Sequence, residues 1–403
     1  MPATLTSLDV ALSRILEQAP PPPDAERIPL GNALGRVLAE SPCAPMAIPP
    51  DDNSAVDGYA VRIADERETP LPISQRIAAG HAPTALTPGT AARIFTGAVI
   101  PEGADAVVMQ EDTQRNGDSV QLPRDLQRGQ NIRPRGHDIP QGETLLPRGQ
   151  RLRPQELGLL ASAGLSDIQV YRRLRVGILT TGDELVEPGH PLTPGQIYNT
   201  NIFTLKGLLQ RLGFETVDQG IVQDTADATS KALETLAQRS DIIISSGGVS
   251  VGEEDHVRQA IEQHGELALW RIAMKPGKPL AFGHVWGRPL LGLPGNPSAV
   301  LLTFLLIARP FLLRAQGVTG PVAPLNHRLP ANFSIERPGL RRDFLRARLV
   351  PSEDGLRVDI HPNQSSGALR AASWADGLAV IPEGKTLQQG DLVDYLTFSE
   401  LLD

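Results

Sequence analysis

One change of pattern constrains this chain more than any other feature. Between Arg175 and about Gly317, apolar runs of strand length alternate with amphipathic runs of helix length. Strands are predicted at Val176–Leu179, Thr216–Val222 and Asp241–Ser245, and helices at Asn201–Arg211, Ala226–Gln238 and Asp255–Gln263. Strict alternation of this kind predicts parallel βαβ units, with helices on both faces of one sheet. The apolar run Ala299–Ala308 is too short for the roughly 18 residues of a membrane span and reads as a buried helix.

The flanking segments follow another rhythm. From Ile48 to about Leu146 the chain is rich in Gly and Pro, with short apolar runs such as Ala106–Met109, and reads as a β-rich lobe. After Val322, strand candidates Phe344–Val350, Leu356–Ile360, Gly377–Ile381 and Leu392–Phe398 are separated by turns and predict a small terminal β-domain. Helices are expected over the first twenty residues, where Leu5, Leu8, Leu12, Ile15 and Leu16 fall near helical spacing, and over Gly31–Glu40 and Arg153–Gly164. If these helices pack together, the β-rich lobe is an insertion between them. The expected division is residues 1–46 with 147–173 (helical linker part), 47–146 (β-rich lobe), 174–320 (central α/β domain) and 321–403 (terminal β-domain). A chain of 403 residues has room for such a count, at roughly 100–200 residues per domain.

Charge and cysteine usage narrow the function. The net charge of −8 offers no basic footprint for nucleic acid, so positive charge must be gathered locally if the ligand is an anion. Asp9, Arg14 and Glu17 interrupt any signal-like apolar stretch at the start, so neither export nor membrane insertion is expected. The single cysteine, Cys43, suits a reducing compartment, and with scattered histidines it leaves no pattern for a zinc site or a Cys–His nucleophile.

In an open α/β sheet, ligands bind beyond the carboxyl ends of the strands. Three loops there are unusual: Thr180–Leu185, with Gly182, Asp183 and Glu184; Ser245–Asp255, which carries Ser246, Gly247, Gly248, Ser250 and Gly252; and Leu293–Ser298, with Pro294, Gly295, Asn296 and Pro297. Glycines let backbone N–H groups approach an anion, while Asn296 and Pro297 serve equally well as a helix start. Arg271, Lys275 and Lys278 stand beside Pro276, Gly277 and Pro279 as candidate oxyanion ligands. Glu184, Asp224 and Asp255 lie at separate strand ends, where they could converge on one Mg²⁺, an ion that prefers oxygen ligands.

Taken together, Asp52–Ala60, Thr96–Ala98, Asn131–Gly136 and the loops just named resemble the molybdopterin molybdenumtransferase family, which includes the E-domain of gephyrin. The resemblance runs over nearly the whole chain. It implies an elongated four-part subunit that forms a homodimer, with a cleft in which Asp57 and Thr96 of one subunit face the loops of the other. It also implies adenylyl-molybdopterin and molybdate as substrates, molybdenum cofactor and AMP as products, Ser366 among the substrate contacts, and transient contact with a molybdopterin adenylyltransferase and with molybdoenzyme maturation factors in the cytoplasm. Asp57, Thr96, Asp224, Asp255, Lys275 and Lys278 would be the catalytic set. Arg271, Asn199 and His137 depart from the family pattern, which more often has lysine, aspartate and an acidic residue there. The rival expectations are a scaffold of the gephyrin type and nucleotidyl transfer from ATP, since the adenylyltransferases share the Gly-rich loop.

Overall fold

The structure is a computed structural model and describes residues 5–65, 69–248 and 256–402. Its centre is a six-stranded sheet. In chain order the elements are β1 (Arg175–Thr181), α1 (Asn201–Leu212), β2 (Glu215–Val222), α2 (Ala226–Arg239), β3 (Ile242–Ser246), α3 (His256–His264), β4 (Gly265–Arg271), β5 (Pro279–Val285) and β6 (Arg288–Leu293). The spatial order is β2-β1-β3-β6-β5-β4, parallel across the first four strands and antiparallel across the last two. The chain steps from β1 to β2 on one side and then returns to β3 on the other, so the order reverses between β1 and β3. A crevice opens at the carboxyl ends of strands where this happens.

Burial on both faces explains why the inner strands β1, β3 and β6 read as continuous apolar runs. Ile242 and Ile244 join Val176, Ile178 and Leu291 in one core beneath α1, whereas Ile243 joins Leu179 and Leu290 in a second core beneath α2 and α3. The helical run Pro297–Ala315 is long and apolar enough to cross a membrane by length and composition, but it is largely buried, and Val300, Leu302, Phe304 and Phe311 belong to the first core. Two features missing from the sequence reading are the antiparallel strands β4 and β5 and a π-helical turn at Phe304–Ala308 within this helix.

The expected helix at Gly31–Glu40 does not form. A 3-10 turn at Leu30–Asn32 stands there, followed by bridges from Val37 to Arg151 and from Leu38 to Val170. Gly35, at φ +73°, breaks the pattern, and long-range pairing of the β-branched Val37 overrides the local preference. Nor does the first helix, Leu8–Glu17, pack on the helix Pro154–Ser162. Its apolar face of Leu8, Ala11 and Ile15 enters the central core instead. Strands and bridges, not helices, tie the two ends of the inserted lobe: Ala25–Pro29 pairs antiparallel with Asp167–Tyr171, and Cys43 and Ile48 bridge Thr144 and Ile139.

The lobe itself is a six-stranded sheet built from segments between Gly58 and Gln121, with Asn53–Ser54 pairing Ile132–Arg133 beside it. The terminal sheet runs, in spatial order, Met274–Lys275, Arg342–Ser352, Gly377–Ile381, Leu392–Thr397 and His327–Pro330, with Gly355–Ile360 alongside Arg342–Ser352. One edge strand of this sheet, Met274–Lys275, therefore comes from the central region, and Phe344, Leu378 and Leu396 complete the first core. The helix Leu369–Trp374 and the strand His327–Pro330 are further elements without a sequence signal.

Candidate active-site cleft

At the reversal point between β1 and β3 lies a cleft of about 940 Å³. Its floor is made of the loops that follow β1, β3 and β6. Glycine is required here by contact as well as by turn geometry. A Cβ on Gly247, at φ +94°, would lie 3.0 Å from the Thr181 carbonyl oxygen, and one on Gly248, at φ +67°, would lie 2.6 Å from a Val257 methyl. The two glycines thus let the Gly-rich loop sit directly against the neighbouring strand and α3. Gly182 and Ser246 join them on the floor. Pro294, Gly295, Asn296 and Pro297 form the adjoining wall, with Pro297 in the first turn of its helix and Asn296 at the cap position without a side-chain cap bond.

Carboxylates and cations face each other across this floor. Glu184 and Asp224 both line the cleft, and the Thr181 hydroxyl donates to Asp224 Oδ1 at 3.0 Å. The Glu184 carboxylate has no hydrogen-bond or ion-pair partner among the described residues. Ser250, Gly252 and Asp255, the other members expected at this loop, lie outside the described residues.

On the opposite side stand Arg271, Lys275 and Lys278. The antiparallel register of β4 and β5 sets Arg271 beside Pro279, and so beside Lys278. Neither Arg271 nor Lys278 has a carboxylate partner among the described residues, and Arg271 Nε is buried without a hydrogen bond. Lys275 is different. Its Nζ donates to Asp343 Oδ2 of the terminal sheet at 2.7 Å, so of the three expected oxyanion ligands one is already paired, while Lys278 and Arg271 have no carboxylate partner among the described residues.

The terminal region closes the cleft with Ser366 and with residues the sequence reading did not assign: Arg341, Gln364 and Ser365. Arg341 stands in a basic turn beside Pro338 and Gly339, the same signal that singled out Lys275 and Lys278. Asn201 was also unassigned. Its Nδ2 donates to Ser246 Oγ at 2.8 Å and to the Gly295 carbonyl at 2.7 Å, tying the β3 and β6 loops to the start of α1. Asn199, one of the departures from the family pattern, is buried against Thr180 and is not a free group.

Asp57 and Thr96 do not line the cleft of their own chain. They sit on the β-rich lobe, where the Thr96 backbone N–H and hydroxyl both donate to Asp57 Oδ1 at 2.8 Å. Those two hydrogen bonds, from the backbone first, hold the Asp57 carboxyl below its ordinary pKa and keep it ionised. Around the pair, three motif segments are stitched together by two backbone bonds, Gly97 N to Ser54 O at 2.9 Å and Ala55 N to Asn131 O at 2.8 Å, and by a side-chain one, Arg135 N to Asp52 Oδ1 at 2.7 Å.

A doubly faced α/β sheet with a cleft lined by glycine loops, carboxylates and cations at its reversal point, flanked by an inserted β-lobe and a terminal β-sheet, defines a multidomain α/β class. Family models for the MoeA N-terminal region (domain I and II), a probable molybdopterin-binding domain and the MoeA C-terminal region (domain IV) match residues 6–164, 177–314 and 328–398. The chain is 41% identical over 403 residues to the molybdopterin molybdenumtransferase of Haemophilus influenzae, covering 99% of this chain and 100% of that one. It is 38% identical to molybdopterin molybdenumtransferase 2 of Mycobacterium tuberculosis, covering 91% and 94%. A molybdopterin biosynthesis moeA protein from Pyrococcus horikoshii superimposes with a TM-score of 0.83 at 28% identity, covering 98% of this chain and 100% of that structure. The chain belongs to the molybdopterin molybdenumtransferase family, whose members are enzymes of molybdenum cofactor biosynthesis.

Proposed function

We propose that this chain transfers molybdenum from molybdate to adenylated molybdopterin and releases AMP, using the cleft at the β1/β3 reversal. One observation carries the reading: the cleft combines glycine-lined loops, two carboxylates at strand ends and two cations with no partner among the described residues, in a chain of net charge −8. Backbone N–H groups of the Gly247–Gly248 turn suit phosphate oxygens, and Arg271 and Lys278 suit the molybdate dianion.

Glu184 and Asp224 fit Mg²⁺, because that ion is commonly held by one or two carboxylates and completed by substrate phosphates. When bound, the ion would supply charge neutralisation at the bond joining AMP to the pterin phosphate. The chain's own groups do the rest. Asn201 holds the two phosphate-facing loops at fixed spacing, Arg271 and Lys278 bring the oxyanion to the bound dithiolene, and the terminal segment around Ser366 covers the cleft from above. No protein nucleophile is needed, since the dithiolene sulfurs become the ligands of molybdenum.

Asp57 and Thr96 enter this reading through a second copy of the chain. The lobe presents an ionised, backbone-held carboxylate with no cleft of its own, which supports a homodimer whose sites each draw on both subunits. The four-part division of the chain, a cytoplasmic location and transient contact with an adenylyltransferase and maturation factors belong to the same proposal. The test is AMP release from purified adenylated molybdopterin. Release that depends on molybdate is expected; ATP consumption without the adenylated pterin would mark a nucleotidyltransferase, and binding without turnover would mark a scaffold.

A further inference from the structure

The cleft's cations are not equivalent. Met274–Lys275 is drawn out of the central region to form the edge of the terminal sheet, in parallel register with Arg342–Asp343, so Lys275 lies directly beside Asp343. The resulting ion pair is short, 2.7 Å, and its two members differ in exposure: the Lys275 side chain is 54% exposed, Asp343 only 20%. Asp343 is thus set into the sheet, while the lysine remains open to the cleft that it lines. Arg341, two residues before Asp343, also lines the cleft, with its guanidinium anchored to the Met274 carbonyl at 3.0 Å.

We infer that Asp343 is a resident counter-ion of the oxyanion seat: its carboxylate occupies Lys275 in the free protein and yields it to the incoming anion. This rests on the reading of the cleft given above. An ion pair with one exposed member is a weak one, because water competes for the lysine's charge. A dianion that also meets Arg271 and Lys278 gains more from Lys275 than a single carboxylate does, so the exchange is downhill yet carries a fixed cost. The terminal sheet therefore sets how tightly the cleft holds its oxyanion, through one side chain that need not touch the substrate. Without the carboxylate, Lys275 would be free to meet the anion at no exchange cost.

Equilibrium binding of inorganic molybdate to the full-length protein at low ionic strength tests this. Asp343→Asn, which keeps shape and removes charge, is expected to lower the molybdate Kd about 3- to 10-fold, with Asp343→Ser behaving alike. Because the effect runs through Lys275, Asp343→Asn in a Lys275→Ala background should change Kd by less than about 2-fold, well below the effect in the native background. An unchanged or raised Kd in both folded Asp343 variants, or an undiminished gain in the Lys275→Ala background, overturns the inference. Arg271→Ala combined with Lys278→Ala separates the two levels. If that variant loses molybdate binding while the Asp343 variants do nothing, the inference alone falls; if it binds as the native chain does, the oxyanion lies elsewhere and both fall.

Discussion

The cleft at the end of the central sheet and the edge of the β-rich lobe each gather residues far apart in sequence, and they do so in opposite ways. On the lobe, hydrogen bonds join the motif segments Asp52–Asp57, Thr96–Ala98 and Asn131–Arg135 to one another, and the Asp57 carboxylate already holds two donors. In the cleft, side chains are left open, with Glu184, Arg271 and Lys278 unpaired among the described residues and glycines where a Cβ would collide. In the function proposed here, one region is a surface that presents a charge and the other a receptor for one. Their separation within a single chain is what makes a second copy part of the account.

The largest expected effect falls on the open side of that contrast. Glu184→Gln keeps the size of the side chain and removes the charge of a group with no side-chain partner among the described residues. Turnover at limiting Mg²⁺ should fall by roughly 100-fold or more, the scale seen when one preorganised electrostatic group is lost, with the melting temperature unchanged. Wild-type turnover in this variant at limiting Mg²⁺ would remove the carboxylate from the cation site.

A smaller effect, on stability and not on turnover, belongs to charges that the fold has already satisfied. Asp241 accepts two hydrogen bonds from the Arg172 guanidinium, at 2.8 and 2.9 Å, and a third from Arg175 N–H. Burial pushes its pKa up, but these donors outweigh burial and the net shift is downward. Asp241→Asn should cost about 1.5–3 kcal/mol and lower the first melting transition by several degrees. Since the folded pKa is depressed, this contribution is complete above the ordinary carboxylate pKa of about 3.9 and is lost as pH falls through the folded value. The melting difference between the two proteins should therefore shrink as the pH is lowered below about 4. A difference that persists or widens there would assign the stabilisation to something other than the ionised carboxylate.

The same contrast governs what could be read from the sequence. Period and loop chemistry revealed the central sheet, because strands buried on both faces must be apolar throughout and because a Gly-rich loop placed between a strand and a helix suits close approach to an anion as well as a turn. Gly182, Glu184, Asp224, Ser246 and the Pro294–Pro297 turn come together in the structure because sheet topology places strand ends side by side. Partners set by register between sheets were not legible. Nothing near Lys275 in sequence announces Asp343, 68 positions away, and the pairing exists only because Met274–Lys275 leaves one sheet to join another. The stretch Gly31–Glu40 misled for a related reason. Its apolar spacing fits a helix, but pairing with Arg151 and Val170 decides the matter.

The central claim is that each functional site needs the receptor of one chain and the presenting lobe of another, and mixed oligomers test it most directly. Asp57→Ala disables the lobe and Glu184→Ala the cleft, and each variant alone should be nearly inactive in molybdate-dependent AMP release. When the two are co-assembled and the mixed species is isolated by orthogonal tags, half of the sites in a dimer regain both intact parts, so activity should return to about half the wild-type value per dimer, as symmetry of a two-fold assembly requires. Verified mixed dimers that stay as inactive as either parent would contradict the account and place Asp57 and Glu184 in the same chain's site.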